Sequence, residues 1–313
     1  MAKQAVLLLA HGTPESVDQI PEYLRNVTGG RPLSEAVVKE IQHRYSLIGH
    51  SPLTEITLEQ GRMVEAELAR IGEAVPVYIG MRNWRPYIAD VVRQMKADGV
   101  EQVAVICLAP QNSRTSVGLY RKAMEAEAGD LKIDFTEGWA RNHLLAQAFA
   151  ERLRPALAGL SQEVGEPVPV LFTAHSVPCR TVQTPAGGEL QPDPYAEDAK
   201  ATAAAVAALV PEIPRWWFAF QSQGASGGPW IGPTVEQTLE ALAKEGVKHL
   251  ILQPVGFLCD HVEILFDVDH LFRDFAVQQG MRLERPDSLN GSNLLAQAVA
   301  GLAISALSRL KCM

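Results

Sequence analysis

Two stretches of the chain decide its architecture: Leu7-Leu8-Leu9-Ala10-His11-Gly12-Thr13-Pro14 and Leu171-Phe172-Thr173-Ala174-His175-Ser176-Val177-Pro178. Each is a continuous apolar run that stops at Ala-His and passes into a loop containing proline. A short apolar run bounded by turn residues reads as a strand buried on both faces. Its recurrence in the second half reads as an internal duplication.

The duplication extends outward from these runs. Val75-Pro76-Val77-Tyr78-Ile79-Gly80 corresponds to Trp216-Trp217-Phe218-Ala219-Phe220-Gln221. Asp98-Gly99-Val100-Glu101-Gln102-Val103-Ala104-Val105 corresponds to Glu245-Gly246-Val247-Lys248-His249-Leu250-Ile251-Leu252, where glycine ends a helix and an apolar strand follows. Leu144-Leu145-Ala146-Gln147-Ala148 recurs letter for letter as Leu294-Leu295-Ala296-Gln297-Ala298. Helical periodicity fills the intervals 58–71, 87–97, 196–210 and 235–244. Strands alternating with helices predict an α/β fold of two similar doubly wound three-layer, Rossmann-like domains with parallel sheets. The expected division is 1–145 for the first domain and 146–290 for the second, with a helix over 291–313 able to pack back on the first.

A length of 313 residues suits two cores. The net charge of −8 argues against nucleic acid as a partner. No apolar run approaches the roughly 18 residues that cross a bilayer, and the run Ala5 to Leu9 is too short for a signal-peptide core. A cytoplasmic protein with no transmembrane segment is expected. Cys107, Cys179, Cys259 and Cys312 stand singly, without the paired spacing of a zinc or iron–sulfur site, and are read as reduced thiols.

In doubly wound sheets ligands bind beyond the carboxyl ends of the strands. There the loops after His11, Gly80, Pro110, His175, Gln221 and Pro254 begin, so a cleft between the two sets is the expected site. Neither Gly-x-Gly-x-x-Gly nor Gly-x-x-x-x-Gly-Lys occurs in the phosphate-binding place, which removes the usual support for a nucleotide.

His175 at a strand end can accept a proton near neutral pH or bind a divalent metal. The alternative is a structural histidine bonded to a nearby backbone carbonyl, and its repeat at His11 favours function. Asp260, Glu263, Asp267, His270 and Asp274 follow at steps of three and four, which an α-helix would gather into one stripe suited to a hydrated divalent cation. A helix-capping box at Asp260 and Glu263, or an ordinary solvated face, would also explain them. Trp84, Trp230, Tyr45 and Tyr120, read as loop or element-end residues, lie near the donors Arg31, Arg44, Arg82, Arg85 and Arg114.

The chain resembles the ferrochelatases almost from end to end. The resemblance rests on Ala10-His11-Gly12-Thr13-Pro14, Arg44-Tyr45, Gly49-His50-Ser51-Pro52-Leu53, Tyr78-Ile79-Gly80-Met81-Arg82 and Leu108-Ala109-Pro110-Gln111. It continues through Ala174-His175-Ser176-Val177-Pro178, Phe220-Gln221-Ser222, Pro229-Trp230-Ile231-Gly232-Pro233, Pro254-Val255-Gly256-Phe257 and Asp260-His261-Val262-Glu263.

The resemblance implies a chelatase-type fold that inserts Fe2+, as a substrate, into a porphyrin in heme biosynthesis. His175 and Glu263 would be the catalytic, metal-handling pair, with His11 and Asp267 further metal-site residues. His11, Arg31, Arg44, Tyr45, Ser51, Tyr120 and Trp230 would contact the porphyrin. The relatives often carry tyrosine where His11 stands, and Leu271 replaces a carboxylate found in some of them. A π-type distortion after Asp260 is also implied, and it would disturb the stripe. No permanently bound cofactor, no iron–sulfur cluster and a monomeric state are expected, with a slight preference for coproporphyrin III over protoporphyrin IX. The alternatives are a cobalt or nickel chelatase of an earlier tetrapyrrole and a non-catalytic tetrapyrrole or metal carrier.

Overall fold

Strand β1 (Gln4–Ala10) is central in a sheet with β2 (Val77–Met81), β3 (Gln102–Cys107) and β4 (Lys132–Thr136). The computed structural model describes residues 2–183, 192–224 and 228–312. The order is β2-β1-β3-β4 and every pairing is parallel, with Leu8 opposite both Ile79 and Ile106. A second sheet holds β5 (Val170–His175), β6 (Trp216–Gln221), β7 (His249–Pro254) and β8 (Arg282–Glu284) in the order β6-β5-β7-β8, again parallel. The two sheets therefore share one topology, as the duplication predicts. Each has a fourth, edge strand that the repeat did not flag, because Lys-Ile-Asp-Phe-Thr and Arg-Leu-Glu are too short and polar to read as buried strands.

The fold divides into one unit of residues 1–139 with 290–313 and a second of residues 140–289. In the first, Ala5, Leu7, Leu9, Val103 and Val105 pack with Ile88, Val92 and Met95 of helix Ile88–Ala97 and with Val117, Tyr120 and Met124 of helix Val117–Ala128. Side chains alternate across a strand, so the equally buried Val6, Leu8, Ala104 and Ile106 face the other way. Helices Leu53–Arg70 and Asn293–Lys311 cover the sheet on that side. The last helix is pinned there by Gln102, whose Nε2 donates to the Leu310 carbonyl at 3.4 Å, and by the Arg309–Asp134 pair at 2.7 Å.

In the second unit, Leu171, Ala219, Leu250 and Leu252 pack with helix Val235–Lys244 and with Ile264, Val268 and Phe272. On the opposite side Ala174 and Phe220 meet Tyr195 and Ala199 of helix Tyr195–Leu209. Helix His143–Val164 packs on that same helix and belongs to this unit, although it follows β4 in the chain. Each half-chain thus sends its closing helix, the one carrying the repeated Leu-Leu-Ala-Gln-Ala, to the other unit.

By length and composition helix Asn293–Lys311 does meet the requirement for crossing a bilayer, which the sequence reading assigned to no segment. Leu295, Val299, Ala303, Leu307 and Leu310 are nevertheless buried within the first unit, the behaviour of a core helix.

Candidate active site

The second unit gathers most of the chemistry. β5 delivers His175 to its carboxyl end, and the loop after β7 closes against it at Gly256, where a Cβ would stand 2.9 Å from Ala174 Cα. Only glycine allows that approach. The His175 ring Nδ1 is bonded to the Ser176 carbonyl, so Nδ1 carries the hydrogen and Nε2 is left as the working nitrogen. Nε2 stands 3.3 Å from Oε1 of Glu263, with the two side chains 29% and 35% exposed, open enough to take a ligand. Tyr195 Oη donates to the His175 carbonyl at 2.8 Å, and the rings of Phe257 and Trp230 flank the imidazole at 6.2 and 6.4 Å.

Glu263 opens a π-helix, Glu263–Phe272, which continues as α-helix Arg273–Gln278. Its second oxygen lies 3.4 Å from Nε2 of His261, a buried ring whose Nδ1 faces the Cys259 carbonyl at 3.0 Å. Gln221 at the end of β6 donates to the Glu263 carbonyl at 3.3 Å, and Thr173 donates to Gln221 at 2.6 Å. Asp267, one π-turn on and 4% exposed, accepts from the Ser222 hydroxyl. Ser222 adopts φ +62°, a conformation disfavoured for a residue with a Cβ.

The five-residue stripe does not survive. Winding with i→i+5 bonds turns the chain less per residue than an α-helix, so steps of four stay nearly aligned while steps of three fall well short of a turn. The side chains of Glu263 and Asp267 face His175 and Ser222, while His270 and Asp274 are exposed. Asp260 lies ahead of the helix, accepting from Ser288 Oγ at 2.6 Å and facing Arg285. The helix begins behind Val262 without a side-chain cap, which removes the capping-box alternative.

Burial opposes charge on His175, but the Glu263 carboxylate outweighs it, with the Ser176 carbonyl and Asp267 adding, and the imidazole titrates above its ordinary value. Burial likewise opposes charge on Glu263, yet His175 first and His261 second hold that carboxyl well below the usual range. Each member of the pair therefore favours the charged form of the other. Among the described residues no three or more His, Cys, Asp and Glu side chains converge on a resident metal site.

In the first unit, His11 follows β1 just as His175 ends β5. Its Nε2 is 2.8 Å from Tyr23 Oη, and Asn83 Nδ2 lies 3.2 Å from either ring nitrogen. Gly12 takes φ +77° where a Cβ would stand 2.8 Å from that of Met81. Ser51 is buried and accepts from the Thr13 hydroxyl at 3.0 Å, beside His11. Arg31 is exposed and bonded to Thr28, and Arg44, 36% exposed, pairs with Glu40 one helical turn away.

Two aromatics differ from their sequence placement. Tyr45 lies within helix Glu35–Ile48 and is 1% exposed, and Tyr120 lies in helix Val117–Ala128 and is 5% exposed. Sequence reasoning also passed over His261, Ser222, Gln221, Tyr23 and Asn83. His261 sat inside a quoted motif, and its neighbour Glu263 was the available signal; Tyr23 and Asn83 gave none.

A histidine at a strand end facing a carboxylate at the head of a helix, in a duplicated α/β fold, is the arrangement expected of a tetrapyrrole chelatase. The same architecture is seen in the sirohydrochlorin chelatase SirB from Bacillus subtilis subspecies spizizenii, solved with cobalt, at TM-score 0.59 and 10% identity over 99% of this chain and 98% of that one. That likeness concerns the fold alone. The family model Ferrochelatase matches residues 3–307, and the chain belongs to the ferrochelatase family, enzymes that insert metal into porphyrin for heme biosynthesis. It is 61% identical to a ferrochelatase of Acidobacterium capsulatum, covering 99% of this chain and 96% of that protein. It is 33% identical to a coproporphyrin III ferrochelatase of Mycolicibacterium vanbaalenii, covering 96% and 89%.

Proposed function

We propose that this chain inserts ferrous iron into coproporphyrin III in preference to protoporphyrin IX, with His175 and Glu263 handling the metal and the pyrrole protons. The carrying observation is the 3.3 Å approach of His175 Nε2 to Glu263 Oε1, with Nδ1 tied to a backbone carbonyl. Insertion balances as one Fe2+ in and two pyrrole protons out. An imidazole freed of its proton can accept one of them, and a carboxylate can guide the incoming cation. A planar ring hides its nitrogen lone pairs, so binding energy from ring contacts must favour a bent form. His11 and Asp267 serve as further metal-site groups, and Trp230, Ser51, Tyr45, Tyr120, Arg31 and Arg44 as porphyrin contacts.

Four propionates on coproporphyrin demand more donors than two, and Arg31, exposed, and Arg44, half-buried, are cations of the kind that supply charge-assisted bonds. Relatives named coproporphyrin III ferrochelatases support this reading. We further assign the enzyme to the cytoplasm, as a monomer without an iron–sulfur cluster. Its four cysteines are free and stand far apart in the sequence, without the paired spacing of a cluster site. Anaerobic competition between the two porphyrins for limiting enzyme and iron(II) tests the assignment. A higher specificity constant for protoporphyrin IX overturns the substrate, and insertion of cobalt or nickel in preference to iron overturns the metal.

A further inference from the structure

A π-helix is rare, and ten residues of it in succession need something to hold them. Part of the answer is the apolar face. Ile264, Val268, Phe272 and Ala276 recur at every fourth position and all enter the core of the second unit. In an α-helix such a row would rotate by about 40° per step away from the core. Wider winding keeps the first three aligned. Packing alone does not fix the rotation of the opposite face, where Glu263 and Asp267 must point.

Arg285, which follows β8, reaches that segment at two places. Its Nε and Nη2 donate to the two oxygens of Asp269 at 2.8 and 2.7 Å, a forked pair to a residue within the π-helix. Its Nη1 lies 3.4 Å from Asp260, three residues before Glu263, and Ser288 donates to the same carboxylate at 2.6 Å. The Arg285 side chain is only 11% exposed, and those of Asp260 and Asp269 are 20% and 22% exposed. This is a shielded network rather than a surface pair, and a forked guanidinium–carboxylate pair fixes orientation as well as distance. None of its members touches His175 or Glu263 in the contacts described above.

We propose that Arg285 is a positioning residue of the chelatase reaction: by gripping Asp260 ahead of the π-helix and Asp269 inside it, it holds the register that aims Glu263 at His175. The inference rests on the assignment of those two residues to metal insertion. Glu263 is bracketed by the two gripped positions, so a slip to α-helical winding would rotate its carboxylate away from Nε2. A displacement of about 1 Å at a reacting group can cost about a hundredfold in rate.

The test compares Arg285→Met, Arg285→Lys, Asp269→Asn and the double Arg285→Met/Asp269→Asn with wild type and Glu263→Gln. Each is assayed for kcat and KM with iron(II) and porphyrin, alongside thermal unfolding. Arg285→Met is expected to lower kcat about 10- to 100-fold with the porphyrin KM unchanged, in protein folded at the assay temperature. Lysine, a point charge without the fork, should restore part of kcat, and the double variant should be no worse than the poorer single one. Should the methionine variant not fold, Asp269→Asn carries the same expectation. Wild-type kcat in folded Arg285→Met, or a kcat loss in both variants that merely follows the folded fraction, overturns the proposal. If Glu263→Gln itself retains turnover, the active-site assignment fails instead, and the two failures are separately visible.

Discussion

His175 Nε2 and Glu263 Oε1 meet at 3.3 Å from two different elements, the end of β5 and the first residue of the π-helix. Neither side chain packs the core, so at neutral pH and above their removal should be read chiefly in turnover, the stability of the pair itself showing at lower pH. Glu263→Gln keeps the shape and deletes the charge. Turnover should fall about 100- to 10,000-fold with porphyrin binding retained, and Glu263→Asp should recover part. Steady-state rates beside fluorescence titration of the porphyrin check this, and a folded glutamine variant with near-normal turnover removes Glu263 from the chemistry.

His175→Ala leaves Glu263 facing His261 alone at 3.4 Å. The expected result is loss of iron insertion by orders of magnitude at a melting temperature close to wild type. A large fall in melting temperature with turnover kept in the folded fraction would mark the histidine as structural.

The pair also gives metal-free protein a stability that depends on pH. His175 is raised from 6.5, so its contribution is complete below 6.5 and is lost as pH rises through the higher folded value. Glu263 is lowered from 4.5, so its contribution is complete above 4.5 and is lost as pH falls through the lower folded value. Wild type should therefore exceed Glu263→Gln in melting temperature most clearly between pH 4.5 and 6.5, with the gap shrinking on either side. Melting curves of the two chelator-treated proteins across that range decide it.

Gly256→Ala tests the tight approach behind His175. The new Cβ would stand 2.8 Å from that of Ala174, with backbone on the other side unable to yield freely. A destabilisation of about 1–3 kcal/mol is expected, together with reduced turnover as the loop after β7 is pushed off β5. Denaturant unfolding measures the first and the iron-insertion assay the second.

Arg44→Ala should narrow the preference for coproporphyrin III. Losing one charge-assisted contact of about 1.5–3 kcal/mol weakens the four-propionate ring more than the other if Arg44 meets the extra propionates. The ratio of the two specificity constants in wild type and variant is the measurement. An unchanged ratio assigns Arg44 only to its helix pair with Glu40.

Much of the fold was legible because buried parallel strands write continuous apolar runs, and a duplication writes them twice. β6 and helix Val235–Lys244 fall where their patterns predict, and both histidines fall at strand ends. The edge strands were not legible, since three to five mixed residues carry no period. The acidic stripe failed because the count assumed α-helical winding, though the fourfold spacing of Ile264, Val268, Phe272 and Ala276 held the signal for a wider turn. Tyr45 was read as a loop or element-end residue, yet it lies within helix Glu35–Ile48, which turns its ring inward. The partners of His11 come from Tyr23 and Asn83, which only the folded chain brings near, and no spacing announces them.

The exchange of closing helices sets the order in which the protein can mature on the ribosome. Ala140–Leu289 is an uninterrupted stretch that makes up the whole of its unit, so that unit is expected to close while the chain is still growing. The first unit's sheet must instead wait, with Val6, Leu8, Ala104 and Ile106 lacking helix Asn293–Lys311, until the second unit has been synthesised and that helix after it. The earlier-made unit is completed after the later-made one, and a truncation that removes helix Asn293–Lys311 uncovers the strands of the first unit rather than those of the second.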